Sequence, residues 1–399
     1  MAIKELIKLS FIKVILKIFG YNKPEQDIGN SLINKILIIR LDEIGDVVLT
    51  SPFIREIKRN YPCAEITLLV KPQVYNLVEL CPYINKILIF NYYNGKLMFF
   101  INLIKAYRFA TKYLVSCQFD LAIIPRCDVD IQGSTFLAYF SRAKFRIAYS
   151  EKVSLLKSIM NLGFDKFFTH TIKSITKKHE VERNLDLIRY LHGGVDKEDL
   201  EIWISKDDEL YIDKIFNEKN CIYIALCPTS GSKHREWDIL KYCDVLNLLN
   251  KNFYINVVVL GDIKNTFKAL QKIKENYTGK IIDLVGKTTL RETAALMKNI
   301  DIYLGGDTGP MHIAAACKID GIVVSCHPKN GDINHGNSPE RFGPWKSPLV
   351  VIQPKHGLGD CKDGCNKKYS HCINQITVKE VYSELKKLLD KKIQEKSYE

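Results

Sequence analysis

A stretch in the second half of the chain constrains the fold more than any other. The apolar run Ile302–Leu304 reads as a buried strand, and Gly305 and Gly306 follow it as a turn. Pro310 stands where a helix can begin, because proline lacks the N–H that a first helical turn leaves unpaired. The next apolar run, Ile322–Ser325, reads as another strand. This order of strand, turn, helix and strand predicts an α/β fold with a mainly parallel sheet.

The turn in this stretch has the features of an anion site. Asp307, Thr308 and Gly309 lie between the predicted strand and the predicted helix. Free backbone N–H groups and the positive end of the helix dipole meet at such a turn. The alternative is an ordinary strand-to-helix connection in which Asp307 caps the helix. The local pattern leaves both interpretations open.

Short apolar runs alternate with helical patterns along the whole chain. The predicted strands are 35–40, 65–70, 86–90, 119–125, 222–226, 255–260 and 281–284, and the predicted helices are 47–61, 96–116, 136–140, 177–192, 239–250 and 290–298. This alternation in both halves predicts two open α/β domains. Ligands usually bind such sheets at the carboxyl ends of the strands, so we expect a site in a cleft between the domains.

The length of 399 residues is sufficient for two domains that each have a core. A polar segment, residues 196–208, is the predicted connection, so the domains are residues 31–205 and residues 206–399, the latter ending in a helix. Residues 1–30 are a basic amphipathic segment followed by a linker. Lysines interrupt every apolar run there, which argues against a signal peptide or a membrane span. The segment either lies on an anionic membrane surface or packs on its own protein.

The charge and the cysteines bound the class of protein. The net charge of +13 indicates acidic partners, which are nucleic acid, anionic lipid or phosphorylated small molecules. The lysines are spread along the chain and aromatic residues do not cluster with basic ones, which argues against nucleic acid. Twelve cysteines at irregular spacing, without a secretory signal, indicate a reducing cytosol and not a disulfide framework.

Two further loops complete the predicted site. In Asp42–Asp46, Gly45 permits a tight turn and Asp46 projects a carboxylate from the start of a helix, although capping is the commoner role of such an aspartate. The loop 228–237 combines small hydroxyl residues with basic ones, a composition that suits a diphosphate or a solvated basic loop. Its candidate residues are Thr229, Ser230, Lys233 and Arg235. A carboxylate loop facing two anion-binding loops predicts group transfer from a nucleotide-activated donor.

Four segments together resemble glycosyltransferase family 9, the bacterial heptosyltransferase family. They are residues 36–54, residues 146–149 with 179–188, residues 306–315, and residues 338–345 with the cysteines at 361, 365 and 372. The resemblance extends from Ile36 to about Leu389. It implies a GT-B type fold, in which two Rossmann-like domains face each other across a cleft. The N-terminal domain would bind the acceptor and the C-terminal domain the nucleotide sugar.

The resemblance also implies the reaction. Such enzymes transfer heptose from ADP-heptose to a lipopolysaccharide core acceptor with inversion, without a metal and without a cofactor. Asp46 falls on the family's general base. The donor-nucleotide motif falls on Asp307, Thr308, Gly309 and His312. The family's phosphate-contacting lysine falls on Arg235, so either Arg235 or Lys233 would contact the diphosphate.

Three other sequence features are candidate binding sites. Arg126, after a predicted strand, is a candidate for contacting an anionic acceptor. Asp128-Val-Asp130 has the spacing of a metal-binding DxD, but it is short and lies in the acceptor half, so we assign it no metal. Cys361, Cys365 and Cys372 with His371 resemble a zinc knuckle, although packed thiols fit the unusual spacing as well.

The predicted protein is therefore a glycosyltransferase with a nucleotide-sugar donor and a lipid-linked saccharide acceptor. We expect a cytoplasmic monomer, peripheral on the cytoplasmic face of the inner membrane, that does not bind nucleic acid. The alternative keeps the family and the mechanism but changes the nucleotide sugar or uses a surface-glycan acceptor. A more remote alternative is a basic α/β protein that binds nucleic acid.

Overall fold

The computed structural model describes residues 3–20, 28–93, 99–173, 177–216, 218 and 221–397. It contains two sheets of six parallel strands. The first sheet comprises β1 (Lys35–Arg40), β2 (Glu65–Val70), β3 (Lys86–Ile89), β4 (Leu121–Ile124), β5 (Phe145–Tyr149) and β6 (His170–Ile172), in the order β3-β2-β1-β4-β5-β6. The second comprises β7 (Ile222–Cys227), β8 (Ile255–Val259), β9 (Lys280–Asp283), β10 (Ile302–Gly306), β11 (Asp320–Val324) and β12 (Leu349–Ile352), in the order β12-β11-β10-β7-β8-β9.

Fifteen helices flank the sheets in the described part of the chain. The first eight are α1 (Ile3–Phe19), α2 (Ile44–Val48), α3 (Ser51–Asn60), α4 (Tyr75–Val78), α5 (Phe99–Tyr113), α6 (Ser134–Phe140), α7 (Leu155–Met160) and α8 (Glu180–Tyr190). The others are α9 (Lys206–Asp213), α10 (Ile239–Asn250), α11 (Ile263–Asn276), α12 (Leu290–Met297), α13 (Gly309–Ala316), α14 (Pro339–Phe342) and α15 (Val378–Ser397).

The central strand β1 shows why an apolar run becomes part of such a sheet. Ile36 and Ile38 pack into one apolar core, together with Phe53 of α3. Leu37 and Ile39 point to the other face and pack into a separate core. Successive side chains of a strand point to opposite faces, so a strand covered by helices on both sides must be apolar at every position.

The strand orders place the functional loops. β1 and β4 are neighbours in the first sheet, and the chain leaves them towards opposite edges; β7 and β10 have the same relation in the second sheet. Ligands of open parallel sheets bind at such a switch point, beyond the carboxyl ends of the strands. The loops after these four strands contain Asp46, Arg126, the residues from Thr229 to Arg235, and Asp307.

The prediction of two α/β sheets is confirmed, with local corrections. Gly305 and Gly306 belong to β10 and are not a turn. The predicted helix 47–61 is two helices, because the chain turns at Leu49 and Thr50 and α3 begins at Ser51 with a proline in its first turn. The short strands β5, β6 and β12 were not predicted. The domain boundary between residues 205 and 206 remains a prediction.

The N-terminal helix α1 packs on its own protein. Ile12 and Ile15 are 0% and 4% exposed and belong to the core beneath the first sheet. The hydroxyl of Tyr139 donates a hydrogen bond to the carbonyl of Gly20. Residues 21–27 of the predicted linker lie outside the described residues. None of the helices in the described ranges is long and apolar enough to cross a membrane.

Candidate active site

A cleft of about 1010 Å³ lies between the carboxyl ends of the two sheets. The predicted site residues that line it are Asp46, Arg126, Thr229, Ser230, Arg235, Asp307, Thr308, Gly309 and His312. The structure therefore brings together residues from four loops that are far apart in sequence. Lys233 is the predicted site residue that is not part of this lining.

Asp46 is in the first turn of α2, with 26% of its side chain exposed. One carboxylate oxygen accepts a hydrogen bond from the backbone N–H of Glu43 at 3.2 Å, so the residue does cap its helix. The other oxygen lies 3.4 Å from a guanidinium nitrogen of Arg40. Burial raises the pKa of Asp46, and the positive charge of Arg40 opposes that rise. The carboxylate is thus held through both of its oxygens and still lines the cleft.

A chain of ion pairs fixes the loop that follows β1. The buried guanidinium of Arg40 pairs through Nε with Asp42 at 3.2 Å and donates to the carbonyl of Pro125. Arg126 pairs with the other oxygen of Asp42 and donates to the carbonyl of Val129 at 2.9 Å. These contacts join the loops after β1 and β4, and they hold Arg126 at the cleft wall with 19% of its side chain exposed.

The starts of α2 and α13 touch across the cleft. A Cβ added at Gly45 would overlap the imidazole ring of His312, and one added at Gly309 would lie 2.9 Å from the Cβ of Ile44. Gly45 itself is helical and does not have the positive φ of a tight turn. The reason for a glycine at this position is therefore close approach to the second domain, and the predicted tight turn is wrong.

Asp307 and Arg235 lie next to each other in the lining of the cleft. Asp307 is 8% exposed, and burial raises its pKa to about 6, with Arg235 lowering it and Asp46 raising it. A guanidinium N–H of Arg235 donates to the carbonyl of Asp307 at 3.4 Å. The Nε of Arg235 is buried without a hydrogen-bond partner among the described residues. A buried donor of this kind gains most from an anionic ligand, because leaving it unpaired is costly.

His312 is a neutral imidazole in the first turns of α13. It is 6% exposed, and burial lowers its pKa to about 3, helped by His179 and Arg235. Its Nδ1 is buried and has no hydrogen-bond partner in the described part of the chain. The ring therefore offers a polar atom to the cleft without adding a charge.

The loop after β7 separates its two basic candidates. The Nζ of Lys233 pairs with Glu236 at 2.7 Å, and 68% of its side chain is exposed outside the cleft. The hydroxyl groups of Thr229 and Thr266 form a hydrogen bond of 2.7 Å. The backbone N–H of Ser230 donates a hydrogen bond to the carboxylate of Glu236 at 3.1 Å. Arg235 is therefore the basic side chain that this loop presents to the cleft.

The two acidic residues of the DxD have different structural roles. Asp130 accepts hydrogen bonds from the backbone N–H groups of residues 132–135 and from the hydroxyl of Thr135, so it caps α6. Asp128 lies at the cleft and pairs with Arg341 at 2.7 Å. Burial favours the neutral form of Asp128, but the Arg341 charge outweighs this and lowers the pKa.

A second group of contacts links the two halves of the chain beside the cleft. Arg341 is 4% exposed and pairs with Glu180 at 3.3 Å as well as with Asp128. His179 caps α8, its Nε2 lies 3.1 Å from the carbonyl oxygen of Gly343, and its ring stacks on Trp345 with centroids 4.5 Å apart. Burial lowers the pKa of His179 to about 4. Arg341, Glu180, His179 and Trp345 support the cleft and are not part of its lining.

Sequence reasoning missed one wall of the cleft. Gly261, Asp262, Gly286 and Thr288 line it beyond the carboxyl ends of β8 and β9. The pair Gly261-Asp262 directly follows a predicted strand, and that position was the available signal. The sequence could not predict that these two loops lie beside the loop after β7, because their position depends on the order of strands in the sheet.

Comparisons with known proteins agree with this geometry. Residues 108–325 match the model of glycosyltransferase family 9 (heptosyltransferase). The lipopolysaccharide core heptosyltransferase OpsX of Haemophilus influenzae is 27% identical over 284 residues, which cover 70% of this chain and 75% of OpsX. Lipopolysaccharide heptosyltransferase 3 of Escherichia coli is 28% identical over 288 residues, 69% of this chain and 77% of that protein.

A solved structure shares the fold. The glycosyltransferase family 9 protein of Veillonella parvula superposes with a TM-score of 0.72 at 18% identity, covering 93% of this chain and 100% of that chain. This likeness confirms the predicted GT-B type arrangement of two Rossmann-like sheets.

Proposed function

The chain belongs to glycosyltransferase family 9, and on that premise we propose that it transfers heptose from ADP-heptose to a lipopolysaccharide core acceptor with inversion. It is a glycosyltransferase, since the matched family and its curated relatives are glycosyltransferases. Both relatives are named as lipopolysaccharide heptosyltransferases, which supports heptose as the transferred sugar and lipopolysaccharide as the acceptor. ADP is the nucleotide that the family resemblance implies.

The observation that carries the proposal is the position of Asp46 relative to the donor motif. Asp46 projects from α2, and the donor motif Asp307–His312 forms the start of α13, which touches α2 through Gly45. A base and an anion-binding helix start on opposite walls of one cleft suit the displacement of a diphosphate by a hydroxyl.

The proposed reaction is a single displacement. Asp46 accepts the proton of the acceptor hydroxyl while that oxygen bonds to the anomeric carbon. The bond from the anomeric carbon to the diphosphate oxygen breaks on the opposite face, and ADP leaves. Arg235 and the N–H groups at the start of α13 stabilise the charge that grows on the diphosphate, so the proposed step uses no metal ion.

A membrane-facing surface fits a lipid-linked acceptor. Exposed apolar side chains project from three helices of the first half: Val14 and Ile18 of α1, Ile101 and Ile104 of α5, and Leu155, Leu156 and Ile159 of α7. The Phe19 ring lies 5.2 Å from that of Tyr107, which joins α1 to α5. With the exposed Lys13 and Lys17 beside them, these side chains support peripheral binding to the anionic cytoplasmic face of the inner membrane.

Replacement of the base is the direct test of this proposal. Asp46→Asn should lower kcat by about 10²- to 10⁴-fold, because it removes the proton acceptor. The dissociation constant for ADP, measured by calorimetry, should stay within about threefold of that of the wild type. A matched control is Asp199→Asn, since Asp199 is 57% exposed and pairs with Lys318 away from the cleft. Turnover of Asp46→Asn near the wild-type rate would refute the assignment of the base.

The donor is tested separately. We expect ADP-heptose to be consumed in a panel of nucleotide sugars, with a core saccharide as the acceptor and mass spectrometry of the product as the readout. Consumption of another nucleotide sugar, or glycosylation of a different surface glycan, would support the alternative within the same family.

A further inference from the structure

Four metal-binding side chains converge in the loop between β12 and α15. The sulfur atoms of Cys361, Cys365 and Cys372 and a ring nitrogen of His371 all lie within 4.8 Å of one another. The Nδ1 of His371 is 3.7 Å from the sulfur of Cys361 and 3.4 Å from that of Cys372. The three cysteines are 0–2% exposed, and their thiols are free.

We propose that Cys361, Cys365, His371 and Cys372 bind a single zinc or iron ion in a tetrahedral site. Three thiolates and one imidazole are an established ligand set for such ions. A metal–sulfur bond of about 2.3 Å in a tetrahedron places sulfur atoms about 3.8 Å apart. The four ligand atoms are already within about 1 Å of that spacing, so a small contraction completes the site.

One backbone hydrogen bond to the cluster suits a metal–thiolate centre. The backbone N–H of Leu358 donates to the sulfur of Cys372 at 3.5 Å. Amide donors of this kind stabilise the negative charge of a thiolate ligand. The imidazole of His371 is turned towards two sulfur atoms, whereas a residue that only filled space would not need a ring nitrogen there.

The loop itself explains what the ion stabilises. Residues 353–377 join β12 to α15 with a 3₁₀ turn at Cys372–Gln375 as their only regular element. Loops longer than about 15 residues without secondary structure are uncommon in compact domains. A bound metal compensates by joining residues 361–372 in the middle of the loop, because the free energy of ligation is available only to the ordered chain.

The loop also supports the wall of the cleft. The hydroxyl of Ser370 lies 3.0 Å from the carbonyl oxygen of Lys233 and 2.8 Å from that of Glu236. The indole N–H of Trp237 donates to the carbonyl of Ile376 at 3.1 Å. Both contacts flank Arg235, so an ordered cysteine loop positions the segment that carries this residue. The role of the ion is structural, and it does not depend on which sugar is transferred.

Metal analysis of the purified full-length protein tests the proposal. We expect about one zinc or iron ion per protein chain. Both elements should be quantified in the same sample. Replacement of the native ion by Co²⁺ should produce the absorption of a tetrahedral cobalt–thiolate complex. Cys365→Ser and His371→Ala should each lose most of the metal, whereas His371→Cys should retain it, because it provides a fourth thiolate.

Two controls separate ligation from general damage to the fold. Cys243→Ala replaces a cysteine of α10 that is 1% exposed and lies outside the cluster, so it should keep the full metal content. A chelator should lower the Tm of the wild type and leave that of Cys365→Ser unchanged. If Cys365→Ser does not fold, chelation of the wild type followed by limited proteolysis should show new cleavage within residues 353–377. Wild-type protein without bound metal, and without a cobalt–thiolate spectrum after reconstitution, would overturn the proposal.

Discussion

Two carboxylates on opposite walls of the cleft differ because their surroundings differ. Asp46 keeps 26% of its side chain exposed and is anchored by a backbone N–H and by Arg40. Asp307 is 8% exposed and has the pKa of about 6 that burial produces. The charge of Asp46 raises the pKa of Asp307 only as a secondary effect. The free protein therefore holds an unfavourable charge at Asp307 when the pH is above about 6.

Asp307→Asn should stabilise the free protein at neutral pH. The folded-state pKa of about 6 lies above the usual 3.8, so the folded state binds the extra proton and stability falls as the pH rises from about 4 to 6. The difference corresponds to about 3 kcal/mol above that window, since one pKa unit is 1.36 kcal/mol. The free energy of unfolding in urea should therefore rise by about this amount at pH 7.5.

The pH dependence distinguishes this cause from a general packing effect. At pH 3.5 the carboxyl group of Asp307 is mainly protonated in both the folded and the unfolded protein. Asp307→Asn and the wild type should therefore unfold at nearly the same urea concentration. A gain of equal size at pH 3.5 and pH 7.5 would show that the charge of Asp307 is not responsible. Binding of the nucleotide-sugar donor should weaken in the same variant, because Asp307 belongs to the proposed donor motif Asp307–His312.

At the level of elements, the contact between α2 and α13 brings the two halves of the chain together beside the cleft. Gly45→Ala should lower stability by roughly 1–3 kcal/mol, because its methyl group overlaps the ring of His312. The matched test is the double variant Gly45→Ala/His312→Ala, in which the overlap disappears. Its Tm should be higher than the sum of the two single changes predicts, and strictly additive changes would contradict the contact.

The helix α1 separates folding from membrane binding. Ile12→Ala should lower the free energy of unfolding by about 2–4 kcal/mol, because Ile12 is fully buried in the core beneath the first sheet. Ile18→Ala on the same helix should change it by less than about 0.5 kcal/mol, because Ile18 is 68% exposed.

Partition onto vesicles should show the opposite order for the two α1 variants. We expect Ile18→Ala to weaken binding to vesicles that contain anionic lipid and Ile12→Ala to leave it unchanged at temperatures where it is folded. Equal partition of the wild type and Ile18→Ala would remove α1 from the proposed membrane surface.

Across the whole molecule, ion pairs between the two halves influence the pKa of Asp46, the proposed base. Arg341 from the second half sits between Asp128 and Glu180 of the first half. After burial and Arg40, the charges of Glu180 and Asp128 affect the pKa of Asp46, and both raise it. The guanidinium of Arg341 therefore connects the association of the two halves with the acidity of the base.

Arg341→Gln should destabilise the protein by up to about 3–5 kcal/mol, because it removes the guanidinium 3.3 Å from buried Glu180 and leaves that carboxylate with the more distant Arg183 at 4.0 Å. The pKa of Asp46 should rise further, and a base works only when it is deprotonated. The acid limb of the kcat/KM profile should therefore shift to higher pH. Arg341→Gln/Glu180→Gln should move that limb back, and an unchanged limb in both variants would show that the pair does not affect Asp46.

The interior of each sheet was predictable because its cause is local. Runs such as Ile36–Ile39 are apolar at every position, and burial on both faces requires that pattern whatever surrounds the strand. The three residues of β6 carry no comparable pattern, since a short edge strand owes its hydrogen bonds to its neighbour β5. Arg235 and Lys233 could not be separated from sequence either, because which one faces the cleft depends on the path of the loop.

The amino-acid sequence alone predicts two α/β sheets, a helix that begins near Asp307–Pro310 and a set of loops whose residue types can bind an anion. Those features depend on periodicity, on glycine and proline positions and on residue type, all of which act over a few neighbours. Only the tertiary structure decided that Gly45 lies against His312 and that four ligand atoms converge around Cys361. Contacts of this kind join residues that are distant along the chain or set by the folding of an irregular loop, and their energies exist only after the sheets have assembled.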